Sequence, residues 1–235
     1  MTTQGAEDLH AGGWLLVKLC AGHSRPMGKA AVLGLILAAV TPAQSLSVAP
    51  RAVEQRYNRL RSLTADFAEA VSYGGRNRRQ ERGRLYLLRP GKMRWEYTQP
   101  AGKLFVADGK AFHLYSPHAN QVQRIKPRES DDLRAPLAFL LGRLDFGQQF
   151  GKLRLRATAD GIELEAEPRT GREVFERAVF TIQPQSFAIR RIVVRGLDGL
   201  ITEFWFSSEV LNPALEARLF RFEAPAGAEL VEAVP

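Results

Sequence analysis

Short runs of aliphatic and aromatic residues, separated by turn residues, fill most of the chain after residue 75. Examples are GRLYLLRP, KMRWEYTQP and NQVQRIKP, each of which ends at a proline. Asp-Gly pairs at 108–109, 160–161 and 198–199 are typical of tight hairpin turns, because glycine tolerates a positive φ angle. The pattern predicts roughly ten strands, of which ARLFRFEAP (217–225) is the last. Because these strands do not alternate with helices, the sheet is expected to be mainly antiparallel.

A helix is predicted ahead of the first strand. Val53, Tyr57, Leu60, Leu63 and Phe67 recur at spacings of three and four residues, which indicates an amphipathic helix. Pro50 fits just before this helix or in its first turn, where a missing N–H is tolerated. The helix is expected to end near Leu63, and TADFAEAVSY then reads as a strand.

A second helical segment interrupts the strands. RAPLAFLLGRLDFG (134–147) has Leu137, Leu140, Leu141 and Leu144 at helical spacing. It follows the charged stretch RESDDL and ends at a glycine, so a short and strongly apolar helix is predicted. Two interpretations remain open: a core helix that plugs the sheet, or a lid over a cavity that a curved sheet leaves open.

The N-terminal region has the pattern of a secretory signal peptide. From Met27, Lys29 supplies a positive charge and Ala30–Val40 is apolar, and the small residues Thr41-Pro42-Ala43 follow. The apolar run is too short for a bilayer span, which needs about 20 residues. We therefore predict an N-terminal extension and signal peptide at residues 1–43, with the true start at Met27, and a single domain at residues 44–235. The alternative is a buried core helix.

Composition and charge exclude several classes of protein. Cys20 is the only cysteine, so no disulfide can form within one chain and no cysteine metal cluster is possible. The net charge is +8, which suits anionic lipid headgroups, acidic partners or nucleic acid without choosing among them. G-x-S-x-G, Walker, G-x-G-x-x-G and H-E-x-x-H motifs are all missing from the sequence. We expect no enzyme activity, no cofactor and no metal.

One strongly basic stretch lies between the predicted first and second strands. RNRRQERGR (Arg76–Arg84) contains five arginines in nine residues. It is expected at a hairpin tip as a solvated basic loop. Contact with anionic headgroups or an acidic partner is the alternative, and nucleic acid is disfavoured because a secreted chain meets little of it.

An arginine stands among apolar residues in LYLLRPGKMRWEYTQP (85–100). Strand alternation places Leu85, Leu87, Met93, Trp95 and Tyr97 on one face. Arg89 falls on the same face, where a buried guanidinium without a partner is costly. The alternative for Arg89 is a strand-end position from which the side chain reaches solvent.

The stretch GRLYLLRPGKMRWEYTQPAGKLFVADGKAFHLYSPHANQV (83–122) resembles the central region of the periplasmic outer-membrane lipoprotein carrier proteins, the LolA family. The shared pattern is Arg-Pro at a strand end, an Arg-Trp strand, a Gln-Pro turn, VADGK, an aromatic strand and a Pro-x-x-x-Gln-Val loop. A looser resemblance extends from the helix at Val53 through PLAFLLG to FRFEAPAGAELV near the C-terminus. The sequence departs from the family pattern in two ways. Its net charge is basic, and it stops soon after FRFEAPAGAELV, so a final strand is expected to be short or missing.

The resemblance implies a mainly β (α+β) fold. A strongly curved antiparallel sheet would form an incomplete barrel, with an N-terminal helix and a short lid helix over an apolar cavity. It implies that Arg89 is a lid latch, bonded to backbone carbonyls of the lid helix. It also implies an acyl-chain cavity lined by apolar residues, which would be Phe67, Leu87, Met93, Trp95, Tyr97, Leu137, Phe139, Leu140 and Leu141.

The implied function is transport without covalent chemistry. Such a carrier accepts acylated lipoproteins from an inner-membrane lipoprotein-releasing ABC transporter and delivers them to an outer-membrane lipoprotein receptor. It would be a periplasmic monomer that binds no nucleic acid. Two alternatives stay open: a protein of the same fold that binds free lipids or senses lipoproteins in envelope stress, and a structural envelope scaffold with a filled core.

Overall fold

The computed structural model describes residues 42–125, 144–170 and 175–232, with only the backbone described at 42–45, 77 and 78. Within these ranges, two α-helices, α1 (Pro42–Asn58) and α2 (Phe146–Gln149), and one 3-10 helix (Ala217–Phe220) accompany the sheet. No helix within these ranges is long and apolar enough to span a membrane. The strands are β1 (Ser62–Tyr73), β2 (Arg76–Leu88), β3 (Lys92–Gln99), β4 (Ala101–Asp108), β5 (Phe112–Ser116), β6 (Gln121–Ile125), β7 (Phe150–Thr158), β8 (Gly161–Pro168), β9 (Phe175–Ile182), β10 (Ile189–Gly196), β11 (Leu200–Leu211) and β12 (Glu229–Glu232).

The strands form one curved sheet that does not close. Their order is β12-β6-β5-β4-β3-β2-β1-β11-β10-β9-β8-β7. Every neighbouring pair is antiparallel except β12 and β6, which run parallel. The expected mainly β fold, an open and curved antiparallel sheet with an N-terminal helix, is confirmed. The three Asp-Gly hairpins are also present, although Gly161 is already the first residue of β8.

The N-terminal helix is longer than the sequence predicts. It begins at Pro42, so the prediction that Pro50 lies at its start is wrong, and Pro50 is inside the helix. Ala49, before Pro50, is fully buried together with Val53 and Tyr57. Burial of this face compensates for the backbone hydrogen bond that proline removes. The helix ends at Asn58, and Leu63 already belongs to β1.

The basic stretch Arg76–Arg84 is a strand and not a loop. Gly74 and Gly75 have φ angles of 58° and 75° and form the whole turn. Their left-handed backbone lets β1 and β2 pair from the first residue after the turn, with Tyr73 opposite Arg76. The expectation of a solvated loop is therefore wrong, because the turn needs only the two glycines.

The C-terminal segment also differs from its prediction. ARLFRFEAP, expected as a strand, is instead the 3-10 helix and an extended stretch that pairs with no strand in the described structure. Arg94 Nη1 donates to the carbonyl of Leu219 at 3.1 Å, and Phe222 stacks on His113 with ring centroids 4.6 Å apart. Because its side chains pack on the sheet, the segment crosses strands rather than extending them. The final strand, β12, is present and only four residues long.

The predicted helix at 134–147 falls mostly outside the described residues. At its end, Leu144 is buried but not helical, and Asn58 binds both its backbone N–H and its carbonyl at 2.8 Å. Asp145 then caps α2 by accepting a hydrogen bond from the Gln148 N–H. Asn58 therefore attaches the end of this segment to the C-terminus of α1.

Candidate functional site

The residues predicted to line a cavity from β1, β2 and β3 lie on one face of the sheet. Leu87 is directly opposite Met93, and Gly83 lies between Phe67 on one side and Tyr97 on the other. Trp95 follows the same alternation, so the side chains share a face. All are almost completely buried. We refer to Phe67, Leu87, Met93, Trp95 and Tyr97 as the inner wall.

Aromatic contacts organise the inner wall. The Phe67 ring packs edge-on against Trp95 and Tyr97, with centroid distances of 4.5 Å and 5.1 Å. Two phenylalanines of β11 complete the cluster, with Phe204 at 5.7 Å and Phe206 at 6.3 Å from Trp95. Neither residue was predicted from the sequence to join the wall. The alternation in EFWFSS put them on one face, but only the pairing of β1 with β11 brings that face to Trp95.

Gly83 makes room for two of these rings. A Cβ atom at this position would lie 1.9 Å from the carbonyl oxygen of Glu96, so no other residue fits without moving the backbone of β3. Gly83 pairs with Phe67 of β1 on one side and with Tyr97 of β3 on the other. Because Gly83 has no side chain, the Phe67 and Tyr97 rings can meet above β2.

Arg89 lies at one end of the inner wall, in the turn between β2 and β3. Its backbone N–H donates to the carbonyl of Arg61 at 2.8 Å. The side-chain Nε and Nη2 atoms are buried, and the described residues offer them no hydrogen-bond partner. Burial lowers the pKa of the Arg89 guanidinium. The expected bond from Arg89 to a lid helix stays a prediction.

The other predicted lining residues cannot be compared with the structure. Leu137, Phe139, Leu140 and Leu141 all lie outside the described residues. Their proposed contribution to a cavity therefore stays a prediction.

A charged cluster lies on the same face, beyond Tyr97. Glu69 of β1 is directly opposite Glu81 of β2, and both carboxylates are buried. Lys103 Nζ lies 2.5 Å from Glu81 Oε2, and Arg79 Nε lies 3.2 Å from Glu81 Oε1. Tyr97 donates its hydroxyl to Glu69 at 3.3 Å. Burial lowers the pKa of Lys103, although its hydrogen bond to Glu81 acts in the opposite direction. Two cations thus balance two buried carboxylates.

A small cavity lies between α1 and the inner face of the sheet, beside Leu85 and Phe206. Its volume is about 20 Å³, enough for roughly one water molecule. Glu209 lines it together with Tyr57, and the Tyr57 hydroxyl donates to Glu209 Oε1 at 2.9 Å and accepts from the Ile189 N–H at 3.0 Å. Burial, and after it the charge of Glu209, raises the pKa of Tyr57. These contacts fix α1 to β10 and β11.

The fold and the inner wall together define a class of protein: an open antiparallel sheet, curved around a buried aromatic interior. Residues 58–223 match the family model described as "Outer membrane lipoprotein carrier protein LolA". The chain belongs to this family, which confirms the resemblance seen in residues 83–122.

Individual relatives agree with the family match. The chain is 34% identical over 185 residues to the outer-membrane lipoprotein carrier protein of Dechloromonas aromatica, covering 77% of this chain and 87% of the relative. It is 31% identical over 207 residues to that of Chromobacterium violaceum, covering 88% and 96%. Among solved structures, the LolA superfamily protein NE2245 from Nitrosomonas europaea is similar with a TM-score of 0.43 and 10% identity, covering 78% of this chain and 99% of that one.

Proposed function

We propose that the chain is a periplasmic carrier that binds the acyl chains of lipoproteins and moves them from the inner to the outer membrane. The observation that carries the proposal is a continuous, buried aromatic wall on the inner face of an open sheet, in a chain of the lipoprotein carrier family. Each CH₂ group buried on such a wall contributes about 0.8 kcal/mol. Several methylenes of an acyl chain therefore give useful affinity without any covalent bond.

The acyl chains would bind along the inner wall. The small volume beside Tyr57 is too narrow for them, so entry requires another segment to move away from the wall. The segment 134–147 is the proposed lid, and its apolar residues at 137, 139, 140 and 141 would cover the chains. The edge-on aromatic contacts of the wall would favour release, because they re-form when the cargo leaves.

Arg89 would hold the lid closed. Its two buried nitrogens need acceptors, and the described residues supply none. A buried donor left unsatisfied costs about 1–3 kcal/mol, which backbone carbonyls of a lid helix would recover. Entry of an acyl chain would break these bonds, so the empty closed form and the loaded open form would be close in free energy.

The partners follow from the transport direction. Lipoproteins would come from an inner-membrane lipoprotein-releasing ABC transporter and pass to an outer-membrane lipoprotein receptor, while the carrier acts as a monomer without a catalytic group. The relatives named above are outer-membrane lipoprotein carrier proteins. Export would use the signal peptide within residues 1–43. N-terminal sequencing of the periplasmic protein is expected to begin within two residues of Gln44, and retention of residues 1–26 would contradict this.

Binding and transfer assays test the proposal in two steps. An apolar fluorophore bound to the protein should be displaced by an acylated peptide and not by the same peptide without its acyl chain. Failure of both peptides to displace it would favour a scaffold with a filled core. The loaded protein should then pass the acylated peptide to an outer-membrane acceptor. Binding without transfer would favour a lipid-binding or lipoprotein-sensing protein of the same fold.

A further inference from the structure

At one end of the sheet, the β1–β2 and β10–β11 hairpins extend beyond the end of β3, and β9 reaches the same end, where Phe175 pairs with Gly196. Gln99, the last residue of β3, pairs with Arg82, which in turn pairs with Ala68 of β1. β1 continues to Tyr73, which is 73 − 68 = 5 residues further. Five residues of antiparallel strand correspond to about 17 Å. β11 pairs with this projection as far as Leu200, so the β1–β2 and β10–β11 hairpins extend together. We refer to residues 69–82 and 195–204 as the arm.

The tip of the arm exposes two large apolar side chains. Tyr73, at the end of β1, is 46% exposed, and Leu197, in the turn between β10 and β11, is 69% exposed. The Tyr73 ring lies beside Gly199 of that turn, where a Cβ atom would be 3.4 Å from Tyr73 Cε2. The two hairpin turns are therefore adjacent, and both apolar side chains project from the same end of the molecule.

Arginines lie beside this apolar tip and along the arm. Arg76 is exposed and pairs across the strands with Tyr73, and Arg82 is exposed further along β2. Arg195 of β10 is 44% exposed and lies 3.9 Å from Glu176. Glu69 and Glu81 are the carboxylates nearest the arginines on β2. Both are buried and already bound to Lys103, Tyr97 and Arg79, so they do not offset the positive charge of these arginines at the surface.

A purely protective role explains only part of this arrangement. Between Arg76 and Glu81, no described strand pairs with the β2 edge that faces β3, and charged residues on a free edge prevent pairing with other chains. This accounts for the arginines. It does not account for Tyr73 and Leu197, since exposed apolar groups at the end of the same arm would favour association rather than prevent it.

We propose that the arm docks on an anionic membrane surface. Leu197 and Tyr73 enter the interfacial region, where a tyrosine ring places its body among acyl chains and its hydroxyl among headgroups. Arg76, Arg82 and Arg195 contact lipid phosphates, which attract basic residues within a Debye length of the surface. This contact is separate from the inner wall, because the arm tip lies beyond the end of β3. It goes beyond cargo binding, since it supplies a direct contact with the membrane itself.

Vesicle co-sedimentation tests the docking directly. The purified protein should sediment with vesicles that contain phosphatidylglycerol and remain in solution with pure phosphatidylcholine, and added salt should release it. Leu197→Ser should weaken the binding by about tenfold, as expected for removing one aliphatic side chain from an apolar environment. The double substitution Arg76→Gln and Arg82→Gln should remove the preference for phosphatidylglycerol.

Matched substitutions elsewhere separate the arm from general charge and hydrophobicity. Leu230, 60% exposed on β12, and Arg218, 81% exposed in the 3-10 helix, are changed to Ser and Gln respectively. Both variants should bind vesicles as the unchanged protein does. The docking proposal is overturned if the protein does not bind vesicles that contain phosphatidylglycerol, or if the arm variants bind vesicles as these controls do. It is also overturned if the protein binds a soluble polyglutamate peptide but no vesicle.

The carrier proposal is tested independently of docking. Fluorophore displacement by an acylated peptide, measured without vesicles, should be the same for Leu197→Ser and for the unchanged protein. Loss of vesicle binding with intact displacement supports docking through the arm. A simultaneous loss of both activities in Leu197→Ser, with the fold intact by circular dichroism, would overturn a separate membrane contact.

Discussion

Lys103 of β4 binds Glu81 of β2 across the intervening strand, with Nζ 2.5 Å from Oε2. The Lys103 ammonium group lies 4.3 Å from the centre of the Tyr97 ring on β3. Strands two positions apart in a sheet are separated by about 10 Å, so this ion pair spans the concave side of three strands. It also places a cation beside two carboxylates, those of Glu69 and Glu81, that face each other directly and would otherwise repel.

The Lys103–Glu81 pair should be important for stability. Lys103→Met leaves Glu81 and Glu69 buried with only Arg79 as a cation, and we expect the free energy of unfolding to fall by about 3 kcal/mol. Adding Glu81→Gln to this variant should recover much of the loss, because the unpaired charge is removed. Urea unfolding of both variants at neutral pH measures the two changes.

An exposed ion pair provides the control. Arg156, 76% exposed on β7, binds Glu163 on β8, and Arg156→Met should change the unfolding midpoint far less than Lys103→Met. Equal effects of the two substitutions would show that the buried position of Lys103 has no special energetic role.

Stability should fall in alkaline solution because of Tyr57. Burial and the charge of Glu209 hold the pKa of Tyr57 above its ordinary value of 10.0. Above that pH the unfolded chain loses the phenolic proton while the folded protein keeps it. The folded state then binds more protons, and the free energy of unfolding falls as the pH rises. Urea unfolding from about pH 9 to about pH 11 should reveal this slope.

Tyr57→Phe identifies the residue responsible. The variant lacks the phenolic proton, so its alkaline slope should be shallower than that of the unchanged protein. At neutral pH it should be less stable by about 1–2 kcal/mol, because Ile189 N–H and Glu209 lose a hydrogen-bond partner. Parallel slopes for the two proteins would contradict the assignment.

Trp95 should report the arrival of an acyl chain. The chain has three tryptophans, of which Trp95 is buried in the inner wall and Trp205 lies on the opposite face of the sheet, 39% exposed. Trp14 lies within residues 1–43, which export is proposed to remove, so Trp205→Phe leaves Trp95 as the one tryptophan of the exported protein. This variant should lose fluorescence when a peptide with a brominated acyl chain binds. A variant that keeps only Trp205 should be unaffected. The reverse pattern would place the cargo outside the inner wall.

Arg89 should control how readily cargo is released. Arg89→Leu removes the buried donors proposed to hold the lid closed. The loaded open form should therefore become more stable relative to the closed form. We expect transfer of an acylated peptide to an acceptor to slow by about tenfold, while the peptide still binds. Arg89→Lys, which keeps the charge but not the forked donor geometry, should give an intermediate rate. Transfer rates equal to those of an Arg218→Leu control would exclude the latch.

Local alternation was enough to predict the inner wall. In LYLLRPGKMRWEYTQP, side chains on a strand point alternately to the two faces, so Leu85, Leu87, Met93, Trp95 and Tyr97 had to share one. The family followed from the same stretch. These features depend on neighbouring residues in the chain, and a period of two is readable wherever the strand is regular.

Other features depended on which strands meet. Arg76–Arg84 looked like a loop because polar composition does not reveal that Gly74 and Gly75 complete the turn alone. Pro50 looked like a helix start because burial of Ala49 cannot be read from spacing.

The sequence by itself determined the antiparallel class of the sheet and the inner-wall residues of β2 and β3, because both are encoded in local alternation and turn residues. It also indicated the family, through the resemblance of residues 83–122 to the lipoprotein carrier proteins. Only the tertiary structure decided that Phe204 joins Trp95, that Glu69 faces Glu81, and that Lys103 reaches them both. The physical reason is register: the pairing of strands, including the distant strands β1 and β11, decides which residues face each other, and the packing of the whole sheet fixes it.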